Sequence, residues 1–496
     1  MDNIVVITQN VKLDSLSLLR DYLKGTQTVV FSSHLVFENE KEIIIKQFGT
    51  ECVFANFSSL LTDADFEYCD VISYLGGLQT VSQYYSQIKK KKNLLAITRL
   101  LEKYPCENRF LVCDDLGIDA EPWLANGFIR IECDYYHDNR PVPYSKNKTN
   151  HFKALFDLCK RFYIGEIHIT RYDGKKCLFF GSLNRIGYRL NLSFVNASKS
   201  ENIRFILQYF CYRLTKKVPF NKTIRMSTLH ESTSWPFPHH PNFNLKIIQD
   251  GYLPPNYSSK YLVFHGPYVE FYTWDIEGRR IFRFHGLKSS VIPFRKKLYL
   301  PIPRFPQKVK KVLCVASGAG DWTALKSRSD EDLMMVTFGK VASLFPNIEF
   351  IYRCHPVWVH PQHQGVNSIK RAVRYFQWLN LPNLRISSNI PEAEEDGKFL
   401  LSYKRSSFEE DLDGVDVVFG EHSIAMIDAA FKGIILCSIN VTGRRDLFQG
   451  ITEMGFPHCE SVEEICSFFN NLNCLEFRNG YKEAVDIYNG MTDRDL

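Results

Sequence analysis

The sequence predicts an α/β protein with two Rossmann-like domains, each a parallel sheet with crossover helices, facing one another across a cleft. Short β-branched runs alternate with helix-like stretches near both ends of the chain, a pattern of buried parallel strands joined by helices. A Pro-, Arg- and Lys-rich stretch, Val291 to Phe305, separates the two series as a linker. The length of 496 residues also fits more than one domain, at about 150 residues each. The expected division is 1–300 and 301–496, with an insertion in the first domain at about 150–225.

In the first domain, Ile4 to Thr8 reads as a strand and Leu13 to Leu23 as an amphipathic helix. Val29 to Phe31 is the second strand, Glu38 to Phe48 a helix, and Glu51 to Phe54 the third strand. Arg109 to Cys113 and Phe128 to Ile131 continue the series. Residues 139–149 carry prolines and polar groups and read as a loop. Glu166 to Phe180 reads as a hairpin turning at Tyr172-Asp173-Gly174-Lys175. Strands return at Leu245 to Ile248 and Tyr261 to Phe264.

In the second domain, Val312 to Ala316 is a strand, Asp330 to Leu344 a helix, and Ile348 to Tyr352 a strand. Ser368 to Leu379 is helical, and Leu384 to Ile386 and Val415 to Phe419 are strands. Ser423 to Lys432 is a helix and Ile434 to Cys437 a strand.

Composition narrows the class. Hydrophobic residues are 45% and charged residues 23% of the chain, an ordinary globular balance that excludes a disordered tail, a collagen-like fibre and a coiled coil. Lys plus Arg is 61 against 55 for Asp plus Glu, a net charge of +6. That is weak for a nucleic-acid binder of this size, so no nucleic acid is expected as partner. The 14 cysteines lack CxxC spacing, which signals neither zinc nor a redox dithiol. Cys113, Cys314 and Cys437 sit in apolar strand-like runs, where a thiol behaves as a small hydrophobe. The acidic start that turns at once into a strand has no secretory pattern, and no apolar run approaches about 18 residues. The expected home is the cytoplasm, and the weak positive charge suits peripheral contact with the inner membrane.

Four loops at strand ends carry candidate chemistry. The run Ala316-Ser317-Gly318-Ala319-Gly320-Asp321 follows the opening strand of the second domain. Its glycines let backbone N–H groups approach a phosphate, with Ser317 adding a donor. The same glycines also suit a tight strand-to-helix turn, and Asp321 is either catalytic or a cap. Tyr352-Arg353-Cys354-His355-Pro356 ends the next strand, and a His there suits proton donation to a leaving phosphate. In Phe419-Gly420-Glu421-His422-Ser423, Ser423 is the expected N-cap of a helix whose N–H groups would face the cleft, while Glu421 would accept from ribose hydroxyls. Late in the first domain, Gln249-Asp250-Gly251 offers Asp250 as general base on an acceptor hydroxyl, or as an Asp-Gly turn.

These residues resemble, in kind and order, the GT-B class of glycosyltransferases. Within it they are most similar to bacterial enzymes using CMP-activated acid sugars, the sialyltransferases and Kdo transferases of capsule and lipopolysaccharide synthesis. Asp250-Gly251, His355-Pro356 and Ser423 follow the order of the acidic, His-Pro and serine motifs of the inverting sialyltransferases, with Gln249 at the position of the first acid. The resemblance implies Asp250 as general base, His355 as the group assisting phosphate departure, and Ser423 as a phosphate donor. Asp321 lies where some Kdo transferases carry an Asp, so it competes with Asp250 for the key carboxylate. The expected catalytic set is therefore Asp250, His355 and Asp321. The expected nucleotide-binding set is Ser317, Gly318, Gly320, Arg353, Pro356, Glu421, His422 and Ser423.

No metal or other cofactor is expected beyond the nucleotide-sugar donor. Asp411-Leu412-Asp413 matches a DxD pattern by letters and is read as a polar loop. The acceptor implied is an oligosaccharide or lipid-linked saccharide. Lys89 to Lys92 reads as a solvated helix end, or as a patch for anionic lipid, where each basic residue contributes about 1 kcal/mol. The competing readings are a UDP-hexose or CDP-polyol transferase, a sugar-nucleotide 2-epimerase, and a non-catalytic polysaccharide-binding protein.

Overall fold

The computed structural model describes residues 1–8, 11–62, 65, 81–113, 120–135, 167–169, 222–226, 243–248, 269–273, 289–291, 299–316, 328–355, 365–388, 394–395, 398–399, 403–421, 423–443 and 448–495. Its class is the expected one, α/β on parallel sheets. The chain divides into two compact units. One comprises Met1–Cys69, Tyr85–Asn139 and Tyr299–Tyr488; the other comprises Asp70–Tyr84, Arg140–Leu298 and Asn489–Leu496. This groups the chain differently from 1–300 and 301–496, because residues 1–139 cluster with 299–488.

The first unit holds two sheets. In one, β1 (Asn3–Ile7), β2 (Gln27–Ser32), β3 (Glu51–Asn56), β4 (Asn108–Val112) and β5 (Ile129–Arg130) lie in the order β3-β2-β1-β4-β5, all parallel. Every residue of β1 is buried, as expected for a central strand covered on both faces. Alternate residues serve opposite cores. Ile4, Val6, Val29, Phe31 and Leu111 pack with Trp123, Ile97 and Leu100. Val5, Ile7, Val30 and Val112 pack with Leu16, Leu19, Ile44 and Phe48. Trp123 is fully buried, and its Nε1 donates to Asn93 Oδ1 at 2.9 Å, satisfying the one polar atom the ring carries.

Helical segments flank this sheet. The stretch expected as a helix over 13–23 is a short 3-10 helix, Leu13–Leu19. The Glu38–Phe48 helix closes at Gly49, whose φ of +70° is the left-handed conformation glycine adopts without strain. The lysine run expected at a solvated helix end lies inside the Val81–Lys103 helix. Lys92 there is 6% exposed, with its Nζ 5.0 Å from the Phe57 ring centroid. A helical turn spreads four consecutive residues around the axis, so one of them faces the protein and buries its methylene stem.

The second unit is built on β6 (Ile167–Ile169), β7 (Lys222–Met226), β8 (Phe243–Ile248), β9 (Val269–Thr273) and β10 (Ser289–Val291), in the order β10-β9-β8-β7-β6. All pairings are parallel. β6 pairs with β7, some fifty residues on, so β6 is a strand of a parallel sheet. The hairpin expected over 166–180 has its turn outside the described residues, as does the strand expected at 261–264. β6 and β7 also show the 150–225 stretch supplying strands to the same sheet as β8.

The other sheet of the first unit carries β11 (Lys311–Val315), β12 (Glu349–Arg353), β13 (Leu384–Ser388), β16 (Tyr403–Arg405), β17 (Val417–Gly420), β18 (Ile435–Ile439) and β19 (His458–Cys459). Their order is β16-β13-β12-β11-β17-β18-β19, again parallel throughout. β14 (Glu394–Glu395) and β15 (Lys398–Phe399) form a separate antiparallel pair. Cys314 and Cys437 are buried and form no disulfide, and the same holds for Cys113 in the first sheet. Burial pushes the Cys437 thiol pKa well up, consistent with an inert core thiol.

Residues 1–139 and 299–488 are joined by a buried ionic knot. Arg371, 4% exposed, donates from Nε and Nη2 to the two Glu40 carboxylate oxygens at 2.6 and 2.7 Å. Its Nη1 donates to Asp332 Oδ2 at 2.8 Å, and Nη2 also donates to the Leu35 carbonyl. The guanidinium lies 3.8 Å from the Phe37 ring centroid, and Phe37 stacks on Tyr375 at 4.4 Å.

Candidate functional site

The candidate site is the carboxyl edge of the seven-stranded sheet. Its strand order reverses direction between β11 and β17: the chain runs outward one way through β12, β13 and β16, then returns to the other side of β11. Open α/β sheets bind ligands at such a switch point, beyond the strand ends. A continuous register row crosses six strands at this edge. Ser387 pairs with Arg353 and Arg353 with Val315, Val315 with Gly420, Gly420 with Ser438, and Ser438 with His458. Register partners in a parallel sheet project to the same face, so this row gathers Ser387, Arg353, Ser438 and His458 on one side of the sheet.

Gly420 lies at the centre of the row and admits no side chain. A Cβ there would lie 2.6 Å from Met426 Sδ and 3.0 Å from both Val315 Cγ2 and the Val315 carbonyl oxygen. Glu421 follows at 9% exposure. Ser423 then caps the Ile424–Phe431 helix, with its Oγ accepting from the Ala425 N–H at 3.3 Å. The cap leaves the positive end of the helix dipole beside the switch point. Replacing Ser423 by Ala is expected to cost about 0.5–1 kcal/mol, the lower part of the N-cap range because this bond is long. Urea denaturation reads that loss; an unchanged midpoint would remove the capping role.

Arg353 ends β12 and is 8% exposed. Its Nη1 donates to Asp411 Oδ2 at 2.5 Å, to the Ser406 carbonyl at 3.1 Å and to Ser387 Oγ at 3.3 Å. That nitrogen is therefore committed within the fold. Asp411 corrects the reading of Asp411-Leu412-Asp413 as a polar loop. It lies in the Phe408–Leu412 helix and is fully buried, accepting also from Ser406 Oγ at 2.7 Å and from Ser387 Oγ. His355, two residues beyond Arg353, is half-buried.

Of the expected site residues, Arg353, His355, Glu421 and Ser423 are described, and all four fall at or just beyond the ends of β12 and β17, the two strands that flank β11. Ser317, Gly318, Gly320, Asp321, Pro356, His422 and Asp250 lie outside the described residues. Two polar groups at this edge went unnoticed in the sequence: Ser438 Oγ, 2.5 Å from His458 Nδ1, and His458 itself, whose Nε2 is 3.4 Å from Glu460 Oε1. A polar residue near the end of an apolar strand run was the available signal. Among the described residues no group of three or more His, Cys, Asp or Glu is arranged to hold a metal ion, and no helix is long and apolar enough to cross a membrane.

Neither protein-family models nor curated protein sequences give a match to this chain. Solved structures do. TarM of S. aureus, a G117R mutant in complex with fondaparinux, alpha-GlcNAc-glycerol and UDP, is 12% identical with a TM-score of 0.37, covering 100% of this chain and 99% of TarM. UDP-GlcNAc 2-epimerase of Neisseria meningitidis, bound to UDP-GlcNAc, is 8% identical with a TM-score of 0.22, covering 100% of both chains. An O-GlcNAc transferase mutant of Thermobaculum terrenum is 9% identical with a TM-score of 0.31, covering 92% of this chain and 83% of the transferase. At these identities and TM-scores the likeness carries no argument about activity, and function is read from the residues at the sheet edge.

Proposed function

We propose that the chain is a glycosyltransferase that takes its sugar from a nucleotide-activated donor bound at the carboxyl edge of the β11–β18 sheet. The observation supporting this is the switch point between β11 and β17. There β17 ends at Gly420, packed against Met426 and Val315, and a Ser423-capped helix begins at Ile424, four residues past the strand end. Such an edge suits a nucleotide phosphate, because N–H groups and the helix dipole meet a negative group without a cation. In this reading Ser423 and the helix terminus hold the phosphate and Glu421 accepts from ribose hydroxyls. His355 protonates the leaving phosphate, and Asp250 or Asp321 supplies the carboxylate.

The donor base is the first thing to test. UDP, held by the TarM structure, stands beside CMP, which the short motifs imply. Uridine with a hexose and cytidine with an acid sugar are the two donor readings to be separated. A thermal-shift panel of UDP, CMP, CDP and GDP on the full chain is expected to raise the melting temperature for one base above the others, since a ligand that binds only the folded state stabilises it. No shift with any of the four would end this reading. Product analysis with the preferred sugar nucleotide then separates transfer from epimerisation, because only transfer needs an acceptor saccharide.

A further inference from the structure

We infer that Asp411 is a positioning residue that fixes, through Arg353, the ends of β11 and β12 at Ala316 and Cys354; the link to activity rests on the proposed nucleotide site. Arg353 is the joint between these ends. Its carbonyl accepts from the Ala316 N–H at 2.9 Å, the last backbone bond before Ser317. The next residue, Cys354, donates its N–H to the Ser387 carbonyl at 3.0 Å, immediately before His355. The side chain of Arg353 is set by Asp411, which also binds the hydroxyls of Ser387, on β13, and Ser406, just past β16.

One buried carboxylate thus organises the carboxyl ends of β13 and β12 and, through the Arg353 backbone, β11. A buried carboxylate is retained only where donors repay its desolvation, and here four donors do so: Arg353, Ser387, Ser406 and, at 3.5 Å, Arg385 Nη1. Arg385, half-exposed, adds little. The Phe408 ring centroid lies 5.6 Å from the Arg353 guanidinium, within cation–π reach. Loop geometry held by such supporting shells governs a site as much as the groups that touch ligand.

The test follows individual amides by hydrogen exchange in the full chain. In Asp411→Asn, the Ala316 and Cys354 amides are expected to exchange about tenfold faster than in the wild type, with a smaller change of the same sign in Ser406→Ala. Affinity for whichever nucleotide binds the wild type is expected to fall about tenfold. Val341→Ala, a core truncation in the Arg328–Leu344 helix, serves as the stability control: it should lower the melting temperature without singling out those two amides. If Asp411→Asn does not fold, Ser406→Ala alone decides the matter. Wild-type exchange at Ala316 and Cys354 in the folded variants, or an equal rise in Val341→Ala, would overturn the inference. A wild type that binds no nucleotide would sink the proposed function and leave the exchange result to stand or fall by itself.

Discussion

Replacement of Arg371 by Leu is expected to destabilise the protein by about 3–5 kcal/mol, the range for breaking a buried ion pair from one side. Two carboxylates, Glu40 and Asp332, face this one cation. Burial by itself would lower the guanidinium pKa, but Glu40 and Asp332 outweigh it and hold the pKa above its ordinary value. Removing the cation leaves two negative groups out of water with the Phe37 and Tyr375 rings beside them. Glu40 also accepts from the Phe37 N–H at 2.9 Å at the start of its own helix, so it cannot withdraw without uncapping that helix. The measurement is the urea midpoint of the full chain; a loss below about 1 kcal/mol would mean that the knot contributes little net stability.

The second large effect concerns turnover. His355→Ala is expected to lower kcat by about 10² or more with the melting temperature little changed, the size of effect general acid catalysis supplies. The residue is half-buried and follows Cys354, whose N–H is bonded to the Ser387 carbonyl of β13, so its backbone is held at the end of β12. Retained turnover would exclude it as the proton donor. A loss of nucleotide affinity without loss of kcat would assign it to binding instead.

Much of the scaffold was legible in the residues. The apolar runs at Ile4, Val29, Val312 and Val417 form central strands because a parallel sheet covered on both faces demands unbroken burial. Ser423 was legible as a cap because capping is a local interaction. What escaped the sequence is what depends on distant partners. Asp411 looks solvated among Glu409, Glu410 and Asp413, and its burial follows only once Arg353, 58 residues earlier, lies beside it. Lys92 looks like its neighbours until the helix phase turns it toward Phe57. β6 needed β7, because parallel strands pair across a long connection that carries no turn signature. Arg353 was rightly marked as standing at the edge, yet which of its nitrogens remain for a ligand depends on an acid whose proximity no motif records.

The distance along the chain between Glu40 and Arg371, 331 residues, has a consequence for synthesis. At a ribosomal pace of about 5–20 residues per second, roughly 15–65 s separate the emergence of the acid from that of its base. Throughout that interval the nascent amino-terminal portion exposes the aromatic surface around Phe37 and an unneutralised carboxylate. Its final closure waits for the carboxy-terminal portion, so this face of the growing polypeptide stays uncovered until late in synthesis.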